Sequence, residues 1–298
     1  TCRTLCARKP DMNDQARLAM TPNLSELATV LRNLRRPWPQ AWPGLPLVFE
    51  RAWQQLNLAS PRAGSRVHAL WAFGRSVTEQ VERDGAQRHA NGQEPAYHNR
   101  LHIADTLVCM TYLLKASCFL KVPGASHPQV AALALAIMAG HDFLHPGGSN
   151  GHPGEFESRA VQDLQPLMLA TGLAEADRQS LAHCIMATDP SRVKSFHLAV
   201  REQSFDLRQR DCLAVLVQEA DILASTLPQT QQQLTQALSR EWAPTQPLAA
   251  GQLLLPKNRL LFLEHAALFS SPAAQLLGLD EVKVRQVAQI ERQLRRQA

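Results

Sequence analysis

The chain has 298 residues, of which 45% are hydrophobic and 19% are charged, and this composition excludes a protein that is disordered throughout. Lys and Arg number 31 against 26 Asp and Glu, so the net charge of +5 is too mild to indicate nucleic-acid or membrane binding by itself. No run approaches the ~20 consecutive apolar residues of a membrane span. At roughly 150 residues per domain, the length allows one large domain or two small ones.

Residues 1–20 contain basic residues but no apolar stretch typical of a signal peptide, so they predict a leader or a disordered N-terminus. The cysteines show no CxxC spacing, which favours free thiols in a reducing, cytoplasmic compartment over a disulfide framework. The six are Cys2, Cys6, Cys109, Cys118, Cys184 and Cys212, and the last four are expected to be small core residues.

Apolar residues recur with helical spacing over most of the chain. Helices are predicted at about residues 24–34, 61–85, 98–120, 126–141, 156–171, 174–187, 207–226, 229–239 and 256–269, and Asp280 should cap a last one. Ser126 is the expected N-cap of the fourth helix, and residues 37–46 form a Pro- and Trp-rich connector. Because sustained two-residue alternation is missing, we predict an all-α fold, a compact multi-helix bundle. One domain over residues 21–298 is favoured, with a division near Pro153 as the alternative.

Three segments contain residues of the types that ligate metals. Tyr97–Asp105 reads YHNRLHIAD, in which His98 and His102 are expected to share one face of a helix. His141–Asn150 reads HDFLHPGGSN and follows the most apolar helix, while Glu219–Asp221 lies late in another apolar helix. Each segment alone is weak evidence. The three segments together are stronger evidence. Burial of an imidazole and of carboxylates without a partner costs free energy, so this combination indicates a divalent cation.

The order H…HD…D resembles that of the HD superfamily of metal-dependent phosphohydrolases. In finer detail the sequence resembles the catalytic domain of class I cyclic-nucleotide phosphodiesterases. That family's motifs YHNxxHxxD and HDxxHPGxxN match residues 97–105 and 141–150 at every fixed position, and its ATD motif stands at residues 187–189. The segments between motifs look shorter than in the animal enzymes, as in a compact bacterial-type relative. The resemblance implies an all-α fold and hydrolysis of 3′,5′-cyclic nucleotides to 5′-monophosphates.

The same resemblance implies roles for individual side chains. The ligands of a first metal would be His102, His141, Asp142 and Asp221, a set that suits zinc, with iron or manganese as alternatives. Asp142 would also bind a second metal, Mg²⁺ or Mn²⁺, and the pair of metals would activate a water as nucleophile. His98 matches the general acid that protonates the departing 3′ oxygen. His145 is expected to orient metal-bound water, and Glu157 to hold waters of the second metal.

Other residues are expected to line or support the site. The substrate-binding candidates are Tyr97, Thr188, Asp189, Asn258 and Phe262. Asp105 is a candidate partner for a ligand histidine, and Asn99 is expected to fix the turn beside His98. The sequence departs from the family at the purine-binding glutamine, because Arg259 stands three residues before Phe262, where that glutamine belongs, and Asn258 is one residue out of register. This departure leaves the base preference open.

Two alternatives to cyclic-nucleotide hydrolysis remain open at this stage. One is an HD-type phosphohydrolase that acts on another nucleotide phosphomonoester or phosphodiester. The other is a non-catalytic, metal-bound sensor or interaction module, which the intact set of ligand-type residues argues against. The expected partner is a small-molecule nucleotide, neither nucleic acid nor a membrane is expected as a partner, and a homodimer is possible.

Overall fold

The computed structural model describes residues 21–58 and 60–297, and these residues form an all-α bundle, as predicted. The first helices are α1 Leu24–Arg35, α2 Leu45–Gln55, α3 Arg66–Ala90, α4 Arg100–Phe119, α5 Pro128–Gly140, α6 Glu155–Ala170 and α7 Glu175–Ala187. They are followed by α8 Pro190–Arg201, α9 Arg210–Thr226, α10 Gln231–Trp242, α11 Pro247–Leu253 and α12 Pro256–Leu261. A π-helical turn, Phe262–Ala266, then leads to α13 Pro272–Leu276 and α14 Leu279–Gln297. The leader expected at residues 1–20, with Cys2 and Cys6, lies outside the described residues.

Helices α4 and α5 lie at the centre of the bundle. Every residue of α5 from Ala131 to Gly140 is buried, which explains why this helix is apolar on all sides. Helix α3 packs along α5, and α9 packs along α4. At Gly74 of α3 a Cβ atom would lie 2.5 Å from the ring of Phe49, so the absence of a side chain allows α2 and α3 to approach closely. This packing brings the start of α4, the end of α5 and the middle of α9 together.

Several helix boundaries differ from the sequence predictions. The helix expected from residue 98 begins at Arg100, because Asn99 is its N-cap and its side-chain oxygen accepts hydrogen bonds from the N–H groups of Leu101 and His102. His98 therefore precedes the helix rather than sharing a face with His102. Ser126 is not an N-cap, since α5 begins at Pro128. Helices α2, α8, α11 and α13 were not predicted, and the helix expected over 256–269 ends in the π-helical turn.

Two further expectations concern the burial of the cysteines and the start of the last helix. Cys109, Cys184 and Cys212 are buried and unpaired, but Cys118 is exposed, so the prediction that it is a core residue is wrong. Asp280 lies in the first turn of α14, which begins one residue earlier. Within residues 21–58 and 60–297, none of the helices is long and apolar enough to cross a membrane.

Candidate metal centre and histidine–glutamate pair

Four candidate metal ligands converge where α4, α5 and α9 meet. His102 lies in the first turn of α4, His141 and Asp142 directly follow α5, and Asp221 projects from α9. The Nε2 atom of His102 is 3.1 Å from Oδ2 of Asp142 and 3.1 Å from Oδ1 of Asp221. The Nε2 atom of His141 is 3.3 Å and 3.5 Å from the same two oxygens, and the two Nε2 atoms are 3.4 Å apart.

The mutual separations of His102, His141 and Asp221 fit one metal ion. Asp142 approaches both histidines, at 3.1 and 3.3 Å. With metal–ligand distances of about 2.0–2.1 Å, the corners of a tetrahedron lie about 3.3–3.4 Å apart. The Nδ1 atom of His141 lies 2.9 Å from the carbonyl oxygen of Met138, so Nδ1 donates its proton there and the lone pair of Nε2 faces the other ligands. Two imidazole nitrogens and two carboxylate oxygens form a donor set that zinc, iron and manganese accept.

The electrostatics of the four residues show strong mutual compensation. Burial alone would lower the pKa of His102, but the carboxylates of Asp142 and Asp221 outweigh it and raise this pKa to about 9. The pKa of His141 is raised by the same carboxylates against the effect of burial. Although burial acts to raise the pKa of both aspartates, the two histidines hold those values well below the usual range. A divalent cation can therefore replace protons that this cluster would otherwise bind.

A fifth residue, which the sequence analysis missed, connects the loops around this cluster. The Glu241 side chain of α10 is only 3% exposed, and its Oε1 lies 2.5 Å from Nδ1 of His98. Oε1 also accepts a hydrogen bond from the N–H of Gly148, at 3.0 Å. Oε2 accepts from the backbone N–H groups of Tyr97 and His98, at 2.8 and 2.9 Å. The sequence offered no signal for this role, because the helix predicted there ended at residue 239, whereas the helix in the structure extends to Trp242.

Glu241 determines which nitrogen of His98 is free. Burial alone would raise the pKa of Glu241, but the hydrogen bonds from His98 and from the backbone lower it to about 2. The side chain is therefore a carboxylate at neutral pH and can only accept hydrogen bonds. Nδ1 of His98 must carry a proton, which leaves Nε2 as the atom that can exchange a proton with a bound molecule.

His145 lies against His98 as a stacked ring, with centroids 4.0 Å apart and planes 27° apart. Its Nδ1 accepts a hydrogen bond from the N–H of Gly147, and burial together with the neighbouring His98 lowers its pKa to about 4. His145 is therefore neutral, with its proton on Nε2. Ligand atoms of His98, His145 and Glu241 lie within 4.8 Å of one another, as in a metal site. Stacked rings direct their in-plane lone pairs along nearly parallel planes, so this trio is poorly arranged to chelate an ion.

Glu157 and its neighbours form a polar group beside the glycine-rich loop. Asn150 donates a hydrogen bond to Oε2 of Glu157 at 2.9 Å, and its own side-chain oxygen accepts from the N–H of Phe156. Burial raises the pKa of Glu157, with the nearby charges of Asp189 and Asp142 acting in the same direction. A nearby cation would favour the ionised form of this carboxyl group. That it holds waters of a second metal stays a prediction.

The candidate substrate residues fall into two groups. The Tyr97 ring lies 4.8 Å from the rings of both His98 and His102, and its hydroxyl is 3.0 Å from Oγ of Ser225, so it borders the metal ligands directly. Thr188 and Asp189 instead make local bonds at the junction of α7 and α8. The hydroxyl of Thr188 donates to the carbonyl of the residue three positions earlier, and Asp189 is the N-cap of α8.

The residues expected to recognise a base are occupied by internal contacts. Arg259 donates hydrogen bonds to the carbonyl oxygens of Ser225 and Thr226 at the end of α9, and its guanidinium lies 5.0 Å from the centre of the Phe262 ring. Burial lowers the pKa of Arg259 to about 10, so it stays charged at neutral pH. The side-chain amide of Asn258 donates to the carbonyl oxygen of Gln252 at 2.5 Å. Arg259 is not an amide, and the amide of Asn258 is bonded within the chain one residue out of register, so neither reproduces the glutamine of the family pattern.

Asp105 has a different partner from the one expected. Its fully buried carboxylate forms an ion pair with Arg35 of α1, whose side chain is only 10% exposed. The pKa of Asp105 is nevertheless raised, because burial outweighs the favourable charge of Arg35. His141 is instead oriented by the hydrogen bond that its Nδ1 donates to the carbonyl oxygen of Met138. Asn99 does fix the turn beside His98, since its amide also donates to the carbonyl oxygens of Pro95 and Ala96.

Comparison with known proteins supports the fold. No family model matches the chain, and no curated protein matches it. Among solved structures, the chain is similar to a Leishmania phosphodiesterase described as LmjPDEB1 in complex with IBMX. The identity is 14%, the alignment covers 97% of this chain and 99% of the other, and the TM-score is 0.64. The chain therefore has a phosphodiesterase-like, all-α fold.

Proposed function

We propose that the chain is a metal-dependent phosphohydrolase of the class I phosphodiesterase type, which hydrolyses 3′,5′-cyclic nucleotides to 5′-monophosphates. One observation carries this proposal: four converging nitrogen and oxygen ligands lie beside His98. The buried carboxylate of Glu241 binds Nδ1 of His98 and leaves its Nε2 free. The Tyr97 ring, in contact with both His98 and His102, connects the two parts.

His102, His141, Asp142 and Asp221 would hold the first cation, zinc or in its place iron or manganese, and Asp142 would share a second, Mg²⁺ or Mn²⁺. When bound, divalent cations supply positive charge that neutralises phosphate oxygens and lowers the pKa of water.

The chain's own residues supply the proton. His98 delivers it from Nε2 to the departing 3′ oxygen, because Glu241 holds Nδ1. Neutral His145 keeps its proton on Nε2, since its Nδ1 accepts the hydrogen bond from Gly147.

The proposal is tested with a turnover panel of cAMP, cGMP, other cyclic nucleotides and 5′-nucleotides, with Mn²⁺ or Mg²⁺ supplied. We expect hydrolysis of at least one cyclic nucleotide, and its absence across the panel contradicts the proposal. His98→Ala should retain metal but lose turnover of substrates with a poor leaving group. Full activity of that variant would show that His98 is not the proton donor. A metal-bound sensor module would hydrolyse nothing in the panel.

A second candidate, hydrolysis of a different nucleotide ester on the same scaffold, is favoured by one observation. Arg259 and Asn258 donate hydrogen bonds to carbonyl oxygens of the chain, so these N–H donors are already occupied and are not presented to a purine. Release of inorganic phosphate from 5′-nucleotides, with cyclic nucleotides unchanged, would support this candidate over the first.

A further inference from the structure

An open cleft of about 290 Å³ lies between α1, the segment that precedes α4, and α10. Tyr97 and His102 line it, so the cleft and the candidate metal centre share a wall. The face of α10 that borders the cleft carries Gln233, Gln236 and Arg240, whose spacing of three and four residues places them in one row. Glu241, which holds His98, points elsewhere, so the cleft is separate from the proton-handling group.

The lining of this cleft is positively charged. Arg35 and Arg240 both contribute, and none of the described residues that line it is acidic. The charge of Arg35 is compensated by Asp105 behind it. Arg240 is exposed and forms no ion pair with any residue in the described ranges, so its charge is available to a bound molecule. The amides of Gln233 and Gln236 add hydrogen-bond donors that can turn towards an anion.

Aromatic side chains contribute to the walls of the cleft. Trp38 lines it, and the ring of Trp38 is held by the guanidinium of Arg100, 5.0 Å from the ring centre. Tyr97 lines the cleft as well. The volume is close to the lower end of small-molecule sites, about 300 Å³, which suits a compact planar molecule.

We propose that this cleft binds a small aromatic oxyanion, with its phosphate or carboxylate group on Arg240 and the neighbouring amides and its ring against Trp38. The proposal depends on the charge and shape of the cleft and is independent of the reaction at the metal centre. A molecule bound here contacts the outer side of Tyr97 and His102.

The test uses phenylphosphonate, which combines a ring with an oxyanion and has no ester bond to hydrolyse. It is titrated calorimetrically into the full chain with its metals, and into Asp221→Ala, in which binding at the metal centre is expected to be lost. We expect Asp221→Ala to retain one binding site for phenylphosphonate. Adding Arg240→Gln should weaken that site about tenfold, the effect of losing one charge-assisted contact. Arg292→Gln, the same change at an exposed position of α14, should leave it unchanged.

Two results overturn the proposal: no binding to an Asp221→Ala protein that is folded by circular dichroism, or equal effects of Arg240→Gln and Arg292→Gln. Benzoate, run in parallel, shows which oxyanion is preferred, and either preference supports the proposal. If Asp221→Ala does not fold, Trp38→Ala in the otherwise unchanged chain replaces it. That variant should weaken phenylphosphonate binding but not inorganic phosphate binding, and equal weakening of both contradicts the assignment. Turnover of cyclic nucleotides is measured separately and does not enter these results.

Discussion

Replacing Glu241 with glutamine changes the charge beside His98 while keeping the shape of the side chain. Each carboxylate oxygen of Glu241 accepts hydrogen bonds from two N–H groups. The NH₂ group of the introduced glutamine therefore faces donors rather than acceptors at either position. If it faces Nδ1 of His98, the ring can move its proton to Nε2, but the N–H of Gly148 still loses its acceptor. One buried donor without a partner costs about 1–3 kcal/mol, and we expect Glu241→Gln to lower the free energy of unfolding by that amount.

The same substitution should affect the reaction selectively. With an amide in place of the carboxylate, His98 loses the anionic acceptor that fixes its Nδ1 proton, and proton donation to a poor leaving group is impaired. A positioned acid contributes about 10²–10⁴ in rate, so kcat for a cyclic nucleotide should fall by about a hundredfold or more. A p-nitrophenyl ester, whose leaving group needs no proton, should be affected far less, and metal content should not change.

The assay compares kcat for the two substrates, with bound metal measured in each preparation. Glu79→Gln serves as the control, because Glu79 makes an exposed i,i+4 ion pair with Arg75 that is worth about 0.5 kcal/mol or less. Equal losses of kcat with both substrates, or an unchanged kcat with the cyclic nucleotide, would refute the role assigned to Glu241.

Four further outcomes are expected. Asp221→Ala should lose the first metal, measured by elemental analysis, because the remaining ligands leave one side of the cluster open. His197 is buried, and its pKa is lowered to about 4, mainly by burial and also by nearby cations. The free energy of unfolding should therefore decrease as the pH falls from 6.5 towards 4, by about 3 kcal/mol in full. Denaturant unfolding at a series of pH values measures this decrease. Gly74→Ala should destabilise by about 1–3 kcal/mol through overpacking. Gly251→Ala, in a helix with open space around it, should instead stabilise by about 0.5–1 kcal/mol.

A specific result would contradict each of these predictions. Unchanged metal content in Asp221→Ala would show that the aspartate is not a ligand. His197→Gln should flatten the pH dependence, whereas exposed His152→Gln should not, and the same slope in both would show that another group is responsible. If the two glycine variants changed stability in the same direction, the close contact of α2 and α3 would not be the cause.

The parts of this structure that could be predicted from the sequence are those with a local signal. Helices α5 and α9 are apolar, and the His-Asp pair that follows α5, together with the Asp residue late in α9, predicted a cluster. The exact start of α4 also had a local signal, because Asn99 is a residue type favoured at N-caps. Helix α2 was missed although Pro46 at its start favours initiation, since the Pro- and Trp-rich stretch over residues 37–46 was interpreted as a connector.

The remaining features depend on contacts between distant segments. Glu241 lies 143 residues after His98, and Arg35 lies 70 residues before Asp105. No periodicity or spacing rule connects residues so far apart, so neither pair could be identified from one sequence. The same holds for Arg259, whose hydrogen bonds to the end of α9 depend on how α12 packs.

The position of Arg259 also constrains how base recognition could be changed in this protein. Its guanidinium binds the last carbonyl oxygens of α9 and the side chain of Gln286, which itself donates to Thr226. Replacing Arg259 by the shorter glutamine would free its place beside Phe262 but would also leave the end of α9 without its donors. A switch in specificity along this route would therefore require a compensating substitution, with Gln286 the natural second site. The two positions are best varied as a pair in any directed-evolution library.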